Sequence, residues 1–151
     1  TGDLDAEARF QQQKARVGSS HFAWHGSMTS NWAGILVTGL QNFSHTRMMA
    51  NGAAKGAGIY ISDDLRTSHG YSARARDGGG HAGWWSRSGL ECGTVVALCE
   101  VADGTAHADN ITTVPRADMI ATRFLMLFNA GAALRARARD CVVPTIPGVI
   151  G

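Results

Sequence analysis

The chain has 151 residues, a formal net charge of +2 and three cysteines. A chain of this length is expected to form one domain that buries about 70% of the surface its unfolded form exposes, without help from a disulfide or a metal. The small charge argues against a nucleic-acid footprint, and no apolar run reaches the roughly 20 residues that span a bilayer. Cys92, Cys99 and Cys141 are odd in number and lack C-x-x-C spacing, so they encode neither a disulfide framework nor a zinc site. Together with the lack of any signal-peptide pattern, this points to an intracellular location, cytoplasmic or nuclear.

Asp5 to Val17 is rich in good helix formers, but Phe10 is its sole large apolar side chain before Val17, which predicts a weakly docked helix. His21 to His25 alternates as a short strand that delivers His25 at its end. Thr29 or Ser30 is placed to cap a helix whose Trp32, Ile35 and Leu36 share one face, with Gly39 as a left-handed stop. Asn42 to Gly56 shows no periodicity and reads as a loop leading into a strand from Gly58 to Ser62. Asp63 or Asp64 then caps a helical stretch that reaches Tyr71. A second loop, Asp77 to Gly93, holds Gly78-Gly79-Gly80 and Trp84-Trp85.

Thr94 to Val101 is almost continuously apolar, as expected of a strand buried on both faces. Ile111 to Val114 is a strand ended by Pro115, and Ile120 to Phe128, strongly apolar after Arg123, reads as another central strand. Several strands with few short helices argue for an α+β domain. The predicted organisation is an N-terminal helix over residues 1–19, a main domain over residues 20–130 and a tail over residues 131–151. That tail is rich in Ala, Gly and Arg ahead of Pro144 and Pro147 and is expected to link to a further, C-terminally fused domain. Its Arg135, Arg137 and Arg139 read as a solvated stripe.

One ordered set of residues carries more than fold. Phe22-Ala23-Trp24-His25-Gly26-Ser27 is followed by Asn31-Trp32, Gly39-Leu40, Lys55-Gly56-Ala57-Gly58-Ile59-Tyr60, Ser68 and Tyr71. A histidine, two aromatic faces and a glycine-opened backbone suit an aromatic amide joined to a ribose. Taken singly, a buried histidine or a tyrosine is a core residue, and the glycine string is a weak motif. Joint order and spacing carry the functional reading.

Over about residues 20 to 128 this pattern resembles the catalytic domain of the poly(ADP-ribose) polymerase family. Phe10 to Ser27 and Val96 to Val101 look most like the branch containing the tail-anchored mono-ADP-ribosyltransferase of the endoplasmic reticulum. The resemblance implies the ADP-ribosyltransferase fold, two packed and mainly antiparallel sheets with the cleft for NAD between them. It implies NAD as co-substrate and no metal. It assigns the carboxamide of the nicotinamide to the backbone N–H and C=O of Gly26, with a third hydrogen bond from the Ser68 hydroxyl. Tyr71 would stack on the nicotinamide face, and Tyr60 would close the ribose side. His25 would hydrogen-bond the adenosine ribose as a positioner, while Ser27 and Asn31 would face the adenosine. The transition state would resemble an oxocarbenium ion, as in glycoside hydrolysis.

By the same resemblance the catalytic positions are His25, Tyr60 and a third on the Ile111 strand, where polymerising members carry a glutamate. Counting back thirteen residues from Phe124 gives Ile111, which accepts no hydrogen bond; a two-residue slip would keep the strand face and give Asp109 instead. With Ile111 there, chain elongation is expected to fail and single transfer to survive, provided a protein acceptor, the chain itself included, brings an ionised carboxylate. The rival readings are a catalytically inactive NAD or ADP-ribose-binding module, an RNA 2′-phosphotransferase, and a partner-recognition domain of a longer protein. Glu100 reads as a hydrogen-bonded structural or pocket-edge carboxylate, Trp84-Trp85 as packing or partner surface and Met48-Met49 as loop packing. His45, His69, His81 and His107 show no metal-ligand spacing.

Overall fold

The computed structural model describes residues 4–43, 56–73, 94–103, 110–128 and 138–141. Helix α1 runs Leu4–Val17, strand β1 His21–Gly26, helix α2 Trp32–Thr38, strand β2 Ile59–Ser62 and helix α3 Leu65–Ala73. Strands β3, β4 and β5 follow at Thr94–Val101, Ile111–Val114 and Ile120–Phe128. All five strands pair antiparallel in one sheet of order β4-β2-β1-β3-β5. The α+β class and the antiparallel pairing agree with the sequence reading. The described residues form this one five-stranded sheet.

Both faces of the sheet are covered, and this explains the unbroken apolar run of β3, all eight residues of which are buried. One face packs Ala23, Ile59, Ile61, Val95, Ala97 and Cys99 against Trp32 of α2. The other packs Trp24, Val96 and Leu98 against Leu65 of α3. Ala138, in the stretch expected to be a tail, is also fully buried on that second face, and its N–H donates to the Asp63 carbonyl at 2.8 Å. Burial pushes the Cys99 thiol up to about 12, so it behaves as a small apolar side chain.

Three local expectations are revised. Strand β5 is the edge strand of the described sheet, not a central one, and Leu127 is 44% exposed. Helix α2 enters from a single 3-10 turn, Thr29–Asn31, with no side-chain cap, and has only two turns. Trp32 and Ile35 face its core, whereas Leu36 is half exposed because the neighbouring face of so short a helix clears the sheet. For α3 the cap is Asp64, whose Oδ1 accepts the Arg66 N–H at 2.9 Å. Residues 44–55 and 77–93 of the expected loops, with Met48-Met49 and Trp84-Trp85, lie outside the described residues, as do Asp109, Arg135 and Arg137.

Helix α1 docks more firmly than its single large apolar residue suggests. In β5, Thr122 pairs with Cys99 and Phe124 with Leu98, which leaves Arg123 as the extra residue of a β-bulge. The bulge sends the Arg123 guanidinium over the ring of Phe10, 4.9 Å from its centroid, and Phe10 is 1% exposed. Arg123 also donates to both oxygens of Glu7, at 2.8 and 3.1 Å, and through Nε to Glu100 at 2.8 Å. Glu100 accepts further bonds from Lys14 at 2.7 Å and Ser20 at 2.6 Å. Its structural role as a carboxylate follows from these partners. Burial alone would raise the Glu100 carboxyl, but Lys14, Ser20 and Arg123 outweigh it and hold it below the ordinary 4.5.

Arg123→Ala would leave Glu100 with Lys14 and Ser20 alone and uncover Phe10, and is expected to cost roughly 1–3 kcal/mol in urea unfolding. Because the folded value of Glu100 is depressed, its contribution is complete above 4.5 and is lost as pH falls through the folded value. Unfolding measured across the acid range should show this loss, and Glu100→Gln should flatten it.

Candidate active site

The end of β1 is built around one close approach. An ideal Cβ on Gly26 would lie 1.8 Å from the Ser68 carbonyl oxygen and 2.6 Å from its carbon, so only glycine lets the backbone of α3 rest there. The sequence reading assigned Gly26 to ligand approach; the packing of α3 demands it independently. Three side-chain bonds then tie α3 to the sheet. Ser68 Oγ donates to the Trp24 carbonyl at 3.0 Å, Ser72 Oγ to the Val95 carbonyl at 2.8 Å, and Thr94 Oγ1 lies 2.7 Å from His69 Nε2. Ser68 is 3% exposed, and with its hydrogen given to Trp24 its oxygen remains an acceptor. Tyr71 lies three residues on, on the same face of α3, and is half-buried.

His25 points to the opposite face of the sheet. Its Nδ1 is 2.8 Å from the Tyr60 carbonyl, and because a carbonyl only accepts, Nδ1 carries the hydrogen and Nε2 keeps a lone pair. The ring meets Trp32 edge to face at 6.2 Å between centroids. Burial pushes the imidazole below its usual 6.5, with the hydrogen bond to Tyr60 pulling the other way, so His25 is neutral at pH 7. Just beyond it, Asn31 Nδ2 donates to Ser27 Oγ at 3.0 Å.

Tyr60 is held at both ends. Its carbonyl receives His25, and its hydroxyl donates to the Gly56 carbonyl at 3.0 Å. Between the two, Gly58 has φ 152°, and a Cβ there would sit 2.8 Å from Thr113 Cβ and 2.9 Å from the Val114 carbonyl. Strand β4 pairs Tyr60 with Thr113 and Ser62 with Ile111. Trp24 pairs with Ser62, which sets the Gly26 end of β1 beside the Tyr60 end of β2. Ile111 therefore shares a sheet face with Ser62 and Trp24 but stands at the start of β4, two residues before the position opposite Tyr60.

The structure thus places Gly26, Tyr60 and Ser68 where β1, β2 and α3 meet, with Tyr71 a turn away, His25 on the opposite face at the same end of β1, Ser27 and Asn31 at the strand exit and Ile111 at the far end of the β2–β4 pair. Two neighbours escaped sequence reading. Asn110 accepts from Ser62 Oγ at 3.0 Å and donates to Thr67 Oγ1 at 2.9 Å, joining β2 to α3. Thr113 faces Tyr60, as the two-residue alternation from Ile111 could have indicated. No group of three metal-ligating side chains occurs among the described residues.

Gly26→Ala would force α3 off the strand. A loss of about 3 kcal/mol or more is expected in urea unfolding, in line with overpacking of a rigid backbone contact.

Comparison with known proteins bears on this arrangement. Residues 3–145 match the family model for the Poly(ADP-ribose) polymerase catalytic domain. The chain is similar to Protein mono-ADP-ribosyltransferase PARP8 of Homo sapiens, 32% identical over 151 residues that cover 83% of this chain and 17% of that protein. It is also similar to Poly(ADP-ribose) polymerase 1 of Xenopus laevis, 33% identical over 119 residues, 75% of this chain and 10% of that one. Poly(ADP-ribose) polymerase 2-A of Oryza sativa subsp. japonica is 36% identical over 93 residues, 62% of this chain and 12% of that one. The chain spans at most 17% of the length of these relatives. A match across most of the chain leaves one conclusion, that it belongs to the poly(ADP-ribose) polymerase catalytic-domain family.

Proposed function

We propose that this domain transfers a single ADP-ribose from NAD to a protein acceptor and releases nicotinamide. Family membership supports the use of NAD, and the naming of PARP8 as a mono-ADP-ribosyltransferase supports single transfer. The observation that carries the mono reading is Ile111, an aliphatic residue on the β4 face beside Ser62.

Tested against the residues present, NAD fits. Gly26 presents a backbone without a side chain, and the Ser68 oxygen, its hydrogen given to the Trp24 carbonyl, can accept from an amide. Tyr71 offers a ring for stacking, worth about 0.5–1.5 kcal/mol beyond area burial. The ring of Tyr60, tethered to Gly56, bounds the ribose side. His25 offers the Nε2 lone pair to a ribose hydroxyl, a positioning role that suits a neutral imidazole. In the reaction, the bond from the nicotinamide nitrogen to the ribose carbon breaks, nicotinamide leaves with the electron pair, and an acceptor oxygen forms the new bond.

Among the described residues the β2–β4 face presents Tyr60, Ser62, Ile111 and Thr113 and no carboxylate. Activation of a ribose hydroxyl for a second transfer therefore lacks a base on this face, whereas a carboxylate of the acceptor needs none at neutral pH. This same lack is what would favour the inactive binding module, so chemistry must decide between them.

Intact-mass measurement after incubation with NAD is the direct test. Discrete single additions are expected, and a polymer ladder would contradict the reading. Binding without any addition or nicotinamide release would leave the binding module instead. His25→Ala is expected to slow transfer about a hundredfold through misplacement of NAD, and Tyr60→Ala to abolish the additions. With His25 depressed below 6.5, NAD affinity by calorimetry should stay level from alkaline pH down through 6.5 and change only beneath it.

A further inference from the structure

Strand β1 stops where the candidate site begins. Its ladder with β3 ends at Gly26 opposite Val96, so Val95, the residue before it on β3, has no pairing residue in β1 among the described residues. The Val95 carbonyl accepts a hydrogen bond from the Ser72 hydroxyl of α3, at 2.8 Å. The same Ser72 oxygen would stand 3.0 Å from a Cβ placed on Gly26, so it lies beside that backbone. Ser68, one turn earlier on the same face of α3, makes the matching bond to the Trp24 carbonyl of β1. The two serines divide their tasks. Ser68 can also accept from an amide, whereas Ser72 is 1% exposed and its hydroxyl serves the helix alone. Tyr71 is its immediate neighbour, so any slide or turn of α3 at this point carries the Tyr71 ring with it.

We propose, on the NAD-transfer reading above, that Ser72 is a positioning residue for the nicotinamide end of the site. Its bond to Val95 holds α3 against the open end of β1 and so keeps the Gly26 backbone and the Tyr71 ring at the separation that grips the nicotinamide. Ser72 itself touches no part of the ligand. The adenosine end is held by other contacts, His25 to the Tyr60 carbonyl on the opposite sheet face and Asn31 to Ser27 beyond the strand. Loss of the Ser72 bond therefore loosens one end of the site and leaves the other as it was. A general loss of stability would have no such preference.

The probes are nicotinamide and ADP-ribose, the two halves into which NAD divides, each titrated by calorimetry. Ser72→Ala removes the hydroxyl with little change of shape. Ser20→Ala, at the opposite end of β1, removes a hydroxyl from Glu100 and serves as the control for lost stability. Ser72→Ala is expected to weaken nicotinamide binding about three- to tenfold, the yield of one hydrogen bond, and to leave ADP-ribose binding at its wild-type strength. Ser20→Ala should leave both unchanged. If the urea transition shows that Ser72→Ala does not fold, Ser72→Cys, whose thiol is a weaker donor, carries the same comparison. Wild-type affinity for nicotinamide in the Ser72 variant overturns the proposal, as does an equal loss for both probes or the same selective loss in Ser20→Ala. A wild-type chain that binds ADP-ribose and no nicotinamide overturns it too. If the wild-type chain binds neither probe, the NAD-transfer reading itself falls and the proposal with it, a result visible before any variant is compared.

Discussion

The contact between the Ser68 carbonyl and Gly26 is the constraint from which the rest of the site follows. At that point a helix backbone and a strand backbone approach closer than any side chain would permit. The approach fixes the height of α3 above the sheet, and the bonds from Ser68, His69 and Ser72 to β1 and β3 fix its slide along it. Ser68 and Tyr71 are then oriented by the helix and not by loops. Elements placed on rigid secondary structure hold their geometry better than elements on loops, which matters where misplacement of a bound molecule carries a large rate penalty.

On the other side of β1, a second constraint acts through charge. Glu100 lies almost buried, with a side-chain exposure of 10%, and would be unfavourable there alone. Three donors surround it, and one of them, Arg123, also grips Glu7 and covers Phe10. Such a network contributes less net stability than its bond lengths suggest, since each ion is desolvated first. Its geometry joins α1, β3 and β5 at one point. Helix α1 is held there immediately before the strand that ends in His25 and Gly26.

Much of this architecture could be read from single residues and short periodicities, because those features report local physics. The unbroken apolar run of Thr94 to Val101 announced a strand covered on both faces, and Asp64 ahead of Leu65 announced a helix start. What escaped reading depends on partners distant in sequence. Phe10 looked too lonely to dock a helix, since Arg123 is 113 residues away, and nothing local shows that its guanidinium will lie over the ring. The edge position of β5 is hidden for the same reason, because an apolar sequence tells how much of a strand is buried and not which neighbours it has. In the candidate site, the motif brought out His25, Gly26, Tyr60, Ser68 and Tyr71, but Asn110 and Thr113 carry no motif and emerge only from pairing with β2.

The bulge at Arg123 also divides strand β5 into two phases. Ile120 belongs to the α2-side cluster, and beyond the bulge Leu125 rejoins that side, while Phe124 and Met126 turn to the α3 side. Removal of this one residue would let Thr122 and Phe124 continue an ordinary ladder with both faces unchanged. The grip on Glu7 and Phe10 in the N-terminal helix therefore depends on a single-residue difference in strand length, made without disturbing the alternation of the sheet that carries the site.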